Sequence, residues 1–242
     1  MSNKRGFLIL LTIFFFYTHY SYGQKGFRAG LALTPNLSKA NLLDPLPEDF
    51  NRKNAPGVVG GLMIQYGLNS GIAFHSGFLL SSKSYTIINY DNNINGTIRG
   101  NVGGFEVPLG FYLRQPMNKQ SFMRELVGVS AFYNSNKDNI SFYRSTPENP
   151  FALEVIINKR ISYSLNIGVE FMREFESGHA FTVGVLYKRG MGNPMTLNVI
   201  NDKNSRTPLF EMGYSGSYLG LNFSFLFDFN DLKPMKGDLY FD

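Results

Sequence analysis

Hydrophobic and polar positions alternate along most of the chain, and the clearest run of this alternation is YLGLNFSFLFDF, residues 218–229. The residues at its even positions are mostly small or polar. The apolar odd positions are Leu219, Leu221, Phe223, Phe225, Phe227 and Phe229. Successive side chains of a β-strand point to opposite faces, so this run predicts a strand with one apolar face and one polar face.

Seven earlier segments alternate in the same way, which brings the predicted strands to eight. Most runs have about nine to eleven residues, the length that a tilted strand needs to cross a bilayer. The segments are FRAGLALT, GVVGGLMIQYGL, GIAFHSGFLL, GFEVPLGFYLR, RELVGVSAFY, ISYSLNIGVEF and FTVGVLYK. Helical periodicity is hard to find between them. The pattern therefore predicts an all-β protein.

The connections between these strands alternate between long and short. The connections after the second, fourth and sixth strands are short: NS, QPMNKQ and EFESGH. The other four are long and polar, including the region around NYDNNINGTIRGN and the segment NSNKDNISFYRSTPENP. This alternation predicts an eight-stranded antiparallel up-and-down transmembrane β-barrel with short periplasmic turns and long extracellular loops.

Composition indicates which face of each strand points outward. Charged residues make up 17% of the chain, whereas soluble domains have roughly a quarter. The polar faces are rich in Gly, Ser, Asn and Thr, which suit the interior of a narrow barrel. A soluble barrel with the apolar faces inside is the less favoured alternative, because such bulky residues would overfill eight strands. We expect the apolar faces, including the six residues above, to contact lipid.

The N-terminal segment MSNKRGFLILLTIFFFYTHYSYGQ predicts export. Two cations precede about 11 apolar residues, and Ser21 and Gly23 are the small residues expected before a cleavage site. A membrane helix is the alternative, but it needs roughly 20 apolar residues. The predicted division is a cleaved signal peptide over 1–23, a barrel over 24–229 and a periplasmic tail over 230–242.

The sequence offers little for catalysis or metal binding. It has no cysteine, and after the signal segment it keeps only His75 and His179. Neither histidine has a serine or carboxylate at a spacing typical of a triad, and no metal-ligand spacing stands out. No basic cluster accompanies the formal net charge of +5, which argues against nucleic acid as a partner. We expect a non-enzymatic protein without catalytic, cofactor or metal sites.

Charged residues on the predicted inner faces are the strongest candidates for a functional network. They are Arg28, Glu106, Arg114, Glu170, Lys188 and Asp228. The first and last strands are neighbours in a closed barrel, so Arg28 and Asp228 are expected to meet. We favour a mutually paired polar plug, because buried charges need partners. A proton or ion path is the alternative.

Several segments resemble the PorT-like outer-membrane β-barrel domain abundant in Bacteroidetes. The resemblance is carried mainly by FEVPLGFYLR, together with GFRAGLALTPNLS, GFLLSSKSYTI, GVEF and LGLNFSFLFDF, and extends over about 24–229. It implies an eight-stranded barrel. It also implies a loose functional link, because the founding member of the family serves the type IX secretion and gliding apparatus.

These observations lead to an expected function in the outer membrane of a Gram-negative bacterium. The leading hypothesis is an anchor or scaffold that presents its extracellular loops or periplasmic face to a protein partner. The alternatives are an accessory subunit of a type IX-like secretion or gliding machine, and a narrow channel. Expected partners also include membrane lipid and the barrel-insertion machinery, which reads either Phe229 internally or the terminal LYF.

Overall fold

The computed structural model describes most of the predicted barrel region. The predicted signal peptide and tail lie outside the described residues. The described residues are 26–38, 41–42, 48, 50–69, 71–91, 94–136, 140–143, 152–200 and 208–229. None of them belongs to a helix that is long and apolar enough to cross a membrane.

The described residues form β-strands and the short connections between them. We number the strands in chain order. They are β1 Gly26–Ser38, β2 Asn41–Leu42, β3 Phe50–Lys53, β4 Ala55–Gly67, β5 Ile72–Asp91, β6 Ile94–Pro116, β7 Ser121–Asn134, β8 Ile140–Tyr143, β9 Ala152–Ile157, β10 Ile161–Glu174, β11 Ala180–Met191, β12 Met195–Ile200, β13 Phe210–Tyr214 and β14 Tyr218–Asp228.

Eight of these strands close into a barrel in the order β1-β4-β5-β6-β7-β10-β11-β14. Every neighbouring pair is antiparallel, and the pairing of β14 with β1 closes the sheet. Closure leaves no barrel strand with an unpaired edge, which is the condition for a sheet surrounded by hydrocarbon. The predicted eight-stranded antiparallel barrel is confirmed.

The register fixes the stagger of the barrel. A row of paired residues that starts at Asp228 returns to β14 ten residues away, at Tyr218. The row contains Asp228, Arg28, Gln65, His75, Gly110, Gly128, Asn166, Lys188 and Tyr218. With a rise of about 3.3 Å per residue and about 4.8 Å between strands, this stagger tilts the strands by about 40°.

Burial alternates along the barrel strands with the period that the sequence predicts. In β14, Leu219 and Leu221 are 54% and 52% exposed, whereas Ser224 between the next two outward residues is 4% exposed. Leu62 on β4 and Tyr163 on β10 are 62% and 60% exposed. The outside of the barrel is therefore an apolar belt, and the polar positions line the lumen.

Three short connections define one end of the barrel, which we call the turn end: residues 68–71, 117–120 and 175–179. The first two are held by asparagine side chains. Asn69 Oδ1 accepts hydrogen bonds from the backbone N–H groups of residues 71 and 72, and Asn118 Oδ1 does the same for residues 120 and 121. Such local bonds explain why these polar stretches turn rather than continue as strands.

The long connections at the other end contain more structure than the sequence predicted. The region around residues 89–101, expected to be a loop, belongs to β5 and β6, which stay paired from Ile72 and Leu113 as far as Asp91 and Ile94. Backbone pairing needs no apolar side chain, so a polar segment can extend a hairpin. The third long connection contains β9, which pairs with β12.

A second sheet in the order β2-β13-β12-β9-β8 lies at this end, and β3 extends the barrel sheet by pairing with β5. The two layers share a core that consists of Phe50, Tyr85, Ile87, Val102, Phe132, Val155, Met195, Leu197, Val199, Phe210, Met212 and Tyr214. Some of these, such as Phe132, sit at the end of the lumen-facing side of a barrel strand. We call the second sheet and β3 the cap, and this end of the barrel the cap end.

The cap is attached to the mouth of the barrel by polar contacts as well. The Tyr214 hydroxyl lies 3.3 Å from Ser38 Oγ, and Asn134 Nδ2 lies 3.1 Å from Met195 Sδ. The Tyr85 and Tyr214 rings are 5.8 Å apart. Burial raises the pKa of both tyrosine hydroxyls, and their proximity adds to the rise for Tyr85. Both hydroxyls therefore stay protonated at neutral pH.

Candidate functional site

The lumen contains three groups of charged side chains at different heights along the barrel axis: one at the turn end, one in the middle and one at the cap end. At the turn end, Arg28 and Arg114 converge on Glu174, whose Oε1 lies 2.7 Å and 2.5 Å from their guanidinium nitrogens. Asp228 lies opposite Arg28 in register, with 3.9 Å between Oδ2 and Arg28 Nε. Two cations and two carboxylates balance in this turn-end group, and the arrangement brings Arg28 and Asp228 together as the sequence analysis expected.

The middle group is built around Glu170. Arg124, on the neighbouring strand, donates to Glu170 Oε2, and Asn222 Nδ2 donates to Oε1 at 2.6 Å. The Tyr112 hydroxyl lies 3.4 Å from the same Oε1, and Gln65 Oε1 accepts from Arg124 at 2.9 Å. The Arg124 guanidinium also lies 4.0 Å from the centroid of the Tyr112 ring. Each charge therefore has an opposite charge and further hydrogen bonds, which is what a buried ion pair needs.

The cap-end group contains one carboxylate between two ammonium groups. Lys188 Nζ forms an ion pair with Glu106 Oε1, and Lys83 Nζ lies 3.7 Å from Glu106 Oε2. Ser130 Oγ accepts from Lys188 at 3.3 Å. The Lys83 ammonium also lies 4.2 Å from the centroid of the Phe132 ring, which belongs to the core under the cap. This group thus connects the lumen to the cap.

Apolar side chains separate the middle group from the cap-end group. On β7, Leu126 lies between Arg124 and Ser130 along the inward face, and it is 4% exposed. Leu186 of β11 lies in the same register row, with Gly168 between the two leucines. It packs against the apolar cluster that contains Leu126 and against the neighbouring cluster that contains Met63. The charged groups are therefore not one continuous row, because an apolar layer interrupts them.

Neighbouring strands approach each other closely on their lumen-facing sides. A Cβ atom added to Gly184 would lie 2.6 Å from the Cα and from the Cγ of Glu170. A Cβ atom on Gly110 would lie 2.9 Å from the Cα of Gly128 and 2.6 Å from His75 Nε2. Glycine is needed at these positions because the backbone of one strand closely approaches the side chains and backbone of its neighbours.

All six predicted lumen residues face the interior, and the structure divides them among the three groups. Arg28, Arg114 and Asp228 lie in the turn-end group, Glu170 lies in the middle group, and Glu106 and Lys188 lie in the cap-end group. Five of the six predicted lipid-facing residues lie on β14, and the sixth, Phe229, directly follows this strand. They alternate with the inward positions of β14.

Three members of these groups were missed by the sequence analysis: Lys83, Arg124 and Glu174. Lys83 and Glu174 occupy inward positions three residues beyond the ends of predicted runs, whereas Arg124 opens the run RELVGVSAFY but was not assigned to its inner face. Lys83 follows Leu79 and Ser81 on β5, Arg124 precedes Leu126 on β7, and Glu174 follows Glu170 and Met172 on β10. Extending the alternation by three residues would have found Lys83 and Glu174, and following it back to the first residue of its run would have found Arg124.

The two histidines lie in different settings. His75 is 2% exposed in the lumen, its ring centroid is 4.8 Å from that of Tyr112, and neither ring nitrogen has a hydrogen-bond partner in the described part of the chain. His179 lies in the turn 175–179, where Nδ1 accepts from the backbone N–H of Asp228 at 3.2 Å. Within the described residues, no three His, Cys, Asp or Glu side chains are grouped as metal ligands.

Comparison with known proteins supports the architecture. No family model and no curated protein matches the chain. The fold is similar to the crystal structure of the outer membrane protein OprG from Pseudomonas aeruginosa, with a TM-score of 0.54 and 12% sequence identity. The match covers 85% of this chain and 98% of that chain. At this identity the likeness concerns the fold, and the resemblance to the PorT-like family stays a prediction.

Proposed function

We propose that this protein is a non-enzymatic integral outer-membrane protein of a Gram-negative bacterium, and that it anchors its cap to the membrane as a scaffold for a protein partner. The observation that supports the proposal is the filling of the lumen by side chains. Charged side chains in ion pairs occupy it at three levels, and an apolar layer interrupts them. A barrel of eight strands with a packed interior can hold a surface in place but has little room to conduct solutes.

The apolar belt supports membrane insertion. Large apolar side chains project outward from every barrel strand, and many are more than 40% exposed, among them Leu31, Leu80 and Phe111. A water-soluble protein rarely exposes so continuous an apolar surface. The fold likeness to an outer membrane protein supports the same location. In this proposal the turn end lies in the periplasm and the cap lies outside the cell.

The cap supports the scaffold role. Its core contains fully buried residues such as Leu197, Val199 and Met212, each 0% exposed. A core of this kind fixes the backbone of the strands above it, whereas a loop without a core would have to lose its conformational entropy on binding. We propose that the partner binds this preordered surface, or alternatively the periplasmic turns.

Planar-bilayer recording of the purified protein tests whether the lumen conducts small ions. The wild type is expected to give no steady conductance of small ions. A variant that removes the middle group, Arg124→Ala/Glu170→Ala, serves as a comparison because it opens space in the lumen without altering the apolar belt. Steady single-channel conductance by the wild type would contradict the scaffold proposal and favour a narrow channel.

A second proposal follows from the resemblance to the PorT-like family, in which the protein is an accessory subunit of a type IX-like secretion or gliding machine. The segment FEVPLGFYLR that carries the resemblance lies on β6, and its Glu106 holds the two lysines of the cap-end group. Cross-linking in native outer membranes, followed by co-purification, tests it. Recovery of secretion components supports the proposal, and recovery of the protein alone contradicts it.

A further inference from the structure

Three polar side chains lie in one row across the outer face of the cap sheet. Asn198 on the central strand β12 is paired in register with Glu154 on β9 and with Glu211 on β13. The residues on either side of Asn198, Leu197 and Val199, belong to the core under the sheet. Since side chains alternate along a strand, the row faces away from that core.

The central amide of the row has an unsatisfied acceptor. Asn198 is 7% exposed, and its Nδ2 donates to Glu154 Oε2 at 3.2 Å. Its Oδ1 is buried and has no hydrogen-bond partner among the described residues. Turning the amide over would not help, because the flanking carboxylates accept hydrogen bonds and cannot donate them. Whichever way the amide is turned, its oxygen lies on the side of a carboxylate.

We propose that Glu154, Asn198 and Glu211 bind a divalent cation, with Ca²⁺ preferred. An amide oxygen and two carboxylates are all hydrogen-bond acceptors, and a cation between them would stabilise all three. Ca²⁺ binds carboxylate and amide oxygens at about 2.3–2.6 Å and accepts irregular geometry. Adjacent strands are about 4.8 Å apart, so glutamates on both neighbours of β12 can reach a point above Asn198.

Glu211 also takes part in another interaction, so the site is identified by the buried oxygen of Asn198 and by the register of the three strands. Mg²⁺ fits less well, since it demands near-ideal octahedral geometry and gives up its water reluctantly. Three side-chain ligands leave coordination positions for water, which corresponds to the weaker class of Ca²⁺ sites found in extracellular modules. A bound Ca²⁺ would connect β9, β12 and β13 and thereby stiffen the cap.

Calcium titration of the full chain in detergent micelles tests the proposal. After EDTA treatment and its removal, isothermal titration with CaCl₂ is expected to show one saturable site with a Kd of about 10⁻⁴–10⁻³ M. The side-chain amide resonances of Asn198 should shift over the same concentration range. Glu154→Gln is expected to weaken binding at least about tenfold by removing a charged ligand. Glu176→Gln makes the same charge change at the turn end and should leave the Kd unchanged.

A second variant separates a cation site from a merely hydrogen-bonded row. Asn198→Asp adds a third carboxylate, so it should tighten Ca²⁺ binding and make the stability of the cap depend on Ca²⁺. If the row is structural only, Asn198→Asp destabilises the cap and Ca²⁺ does not restore it. The absence of saturable Ca²⁺ binding by the wild type, or equal Kd values for the wild type and Glu154→Gln, would overturn the proposal. Equally tight binding of MgCl₂ would overturn the preference for Ca²⁺.

Discussion

Arg124 and Glu170 face each other in register on β7 and β10, and both side chains of this ion pair are 1% exposed. Neither charge has water to stabilise it, so each depends on the other and on the hydrogen bonds around them. The pair lies between the turn-end group and the apolar layer formed by residues such as Leu126. An unpaired charge at this place would therefore be costly.

Arg124→Met is expected to lower the free energy of unfolding by about 3–5 kcal/mol, because it leaves the Glu170 carboxylate buried without a cation. Urea unfolding in lipid vesicles measures this change. Lys119→Met removes the same charge from an exposed turn and should have little effect. The double variant Arg124→Met/Glu170→Met should lose less than the sum of the single variants. Additive losses would show that the two residues are not coupled.

The second prediction concerns the close approach of the neighbouring strands β10 and β11 at Gly184. Gly184→Ala is expected to cost about 1–3 kcal/mol, because the new methyl group would overlap the backbone and side chain of Glu170. Gly103→Ala is the matched control, since a Cβ there meets only side-chain oxygens at ordinary distances, 3.5 Å from Asn136 Oδ1 and 3.8 Å from Ser135 Oγ. Unfolding in urea should distinguish the two variants. Equal stability would mean that β10 and β11 can accommodate a methyl group at this position.

The barrel could be predicted from the sequence because the relevant signal is local. An alternating run such as Leu219 to Phe229 assigns each residue to a face without reference to the rest of the chain. The strand count then follows from the number of runs, and closure follows from the backbone hydrogen bonds that lipid cannot satisfy. The same alternation assigned six of the charged residues to the lumen, and it missed Lys83, Arg124 and Glu174 because it was not followed to the ends of their strands.

The cap could not be predicted in this way, because its core is assembled from distant segments. Phe50, Ile87, Val155, Leu197 and Phe210 come from four separate connections, and none lies in a run that stands out by itself. The pairing of β9 with β12 joins residues more than 35 positions apart, such as Ile157 and Met195. Such contacts depend on how the barrel brings the connections together, which single-sequence periodicity does not contain.

The third prediction tests whether the belt contacts hydrocarbon. Leu62 lies in the middle of the outward face of β4, between Val58 and Tyr66. Leu62→Arg is expected to cost about 2–4 kcal/mol in lipid vesicles, whereas Leu68→Arg at the turn end should cost about 0–1 kcal/mol, because charge is tolerated near the interface. A soluble barrel would show no such difference. Equal effects at the two positions would therefore contradict a membrane-spanning orientation.

The fourth prediction follows from Tyr85 and Tyr214, the buried tyrosines of the core that the cap shares with the barrel. Because the pKa values of Tyr85 and Tyr214 are raised in the folded protein, folding should become less favourable only above the pKa of an unfolded tyrosine, about 10. The contribution of these two tyrosines to the stability should therefore be constant from neutral pH to about 10 and fall above it. Urea unfolding at a series of pH values measures this, and Tyr85→Phe/Tyr214→Phe should flatten the decline. An unchanged decline in that variant would assign it to other groups.

The fifth prediction asks whether the cap is an ordered surface in its own right. Leu197 is fully buried between the two layers, and Leu197→Ala is expected to destabilise the cap by about 2–5 kcal/mol through the cavity it leaves. The barrel strands have their own hydrogen bonds and lipid contacts, so they should remain folded. Limited proteolysis would then cut the variant in the long connections while leaving the barrel core intact. Leu209→Ala, at a position 45% exposed, is the control and should be as resistant as the wild type. Equal resistance of Leu197→Ala and Leu209→Ala would mean that the core does not hold the cap together, and the scaffold proposal would lose its preordered binding surface.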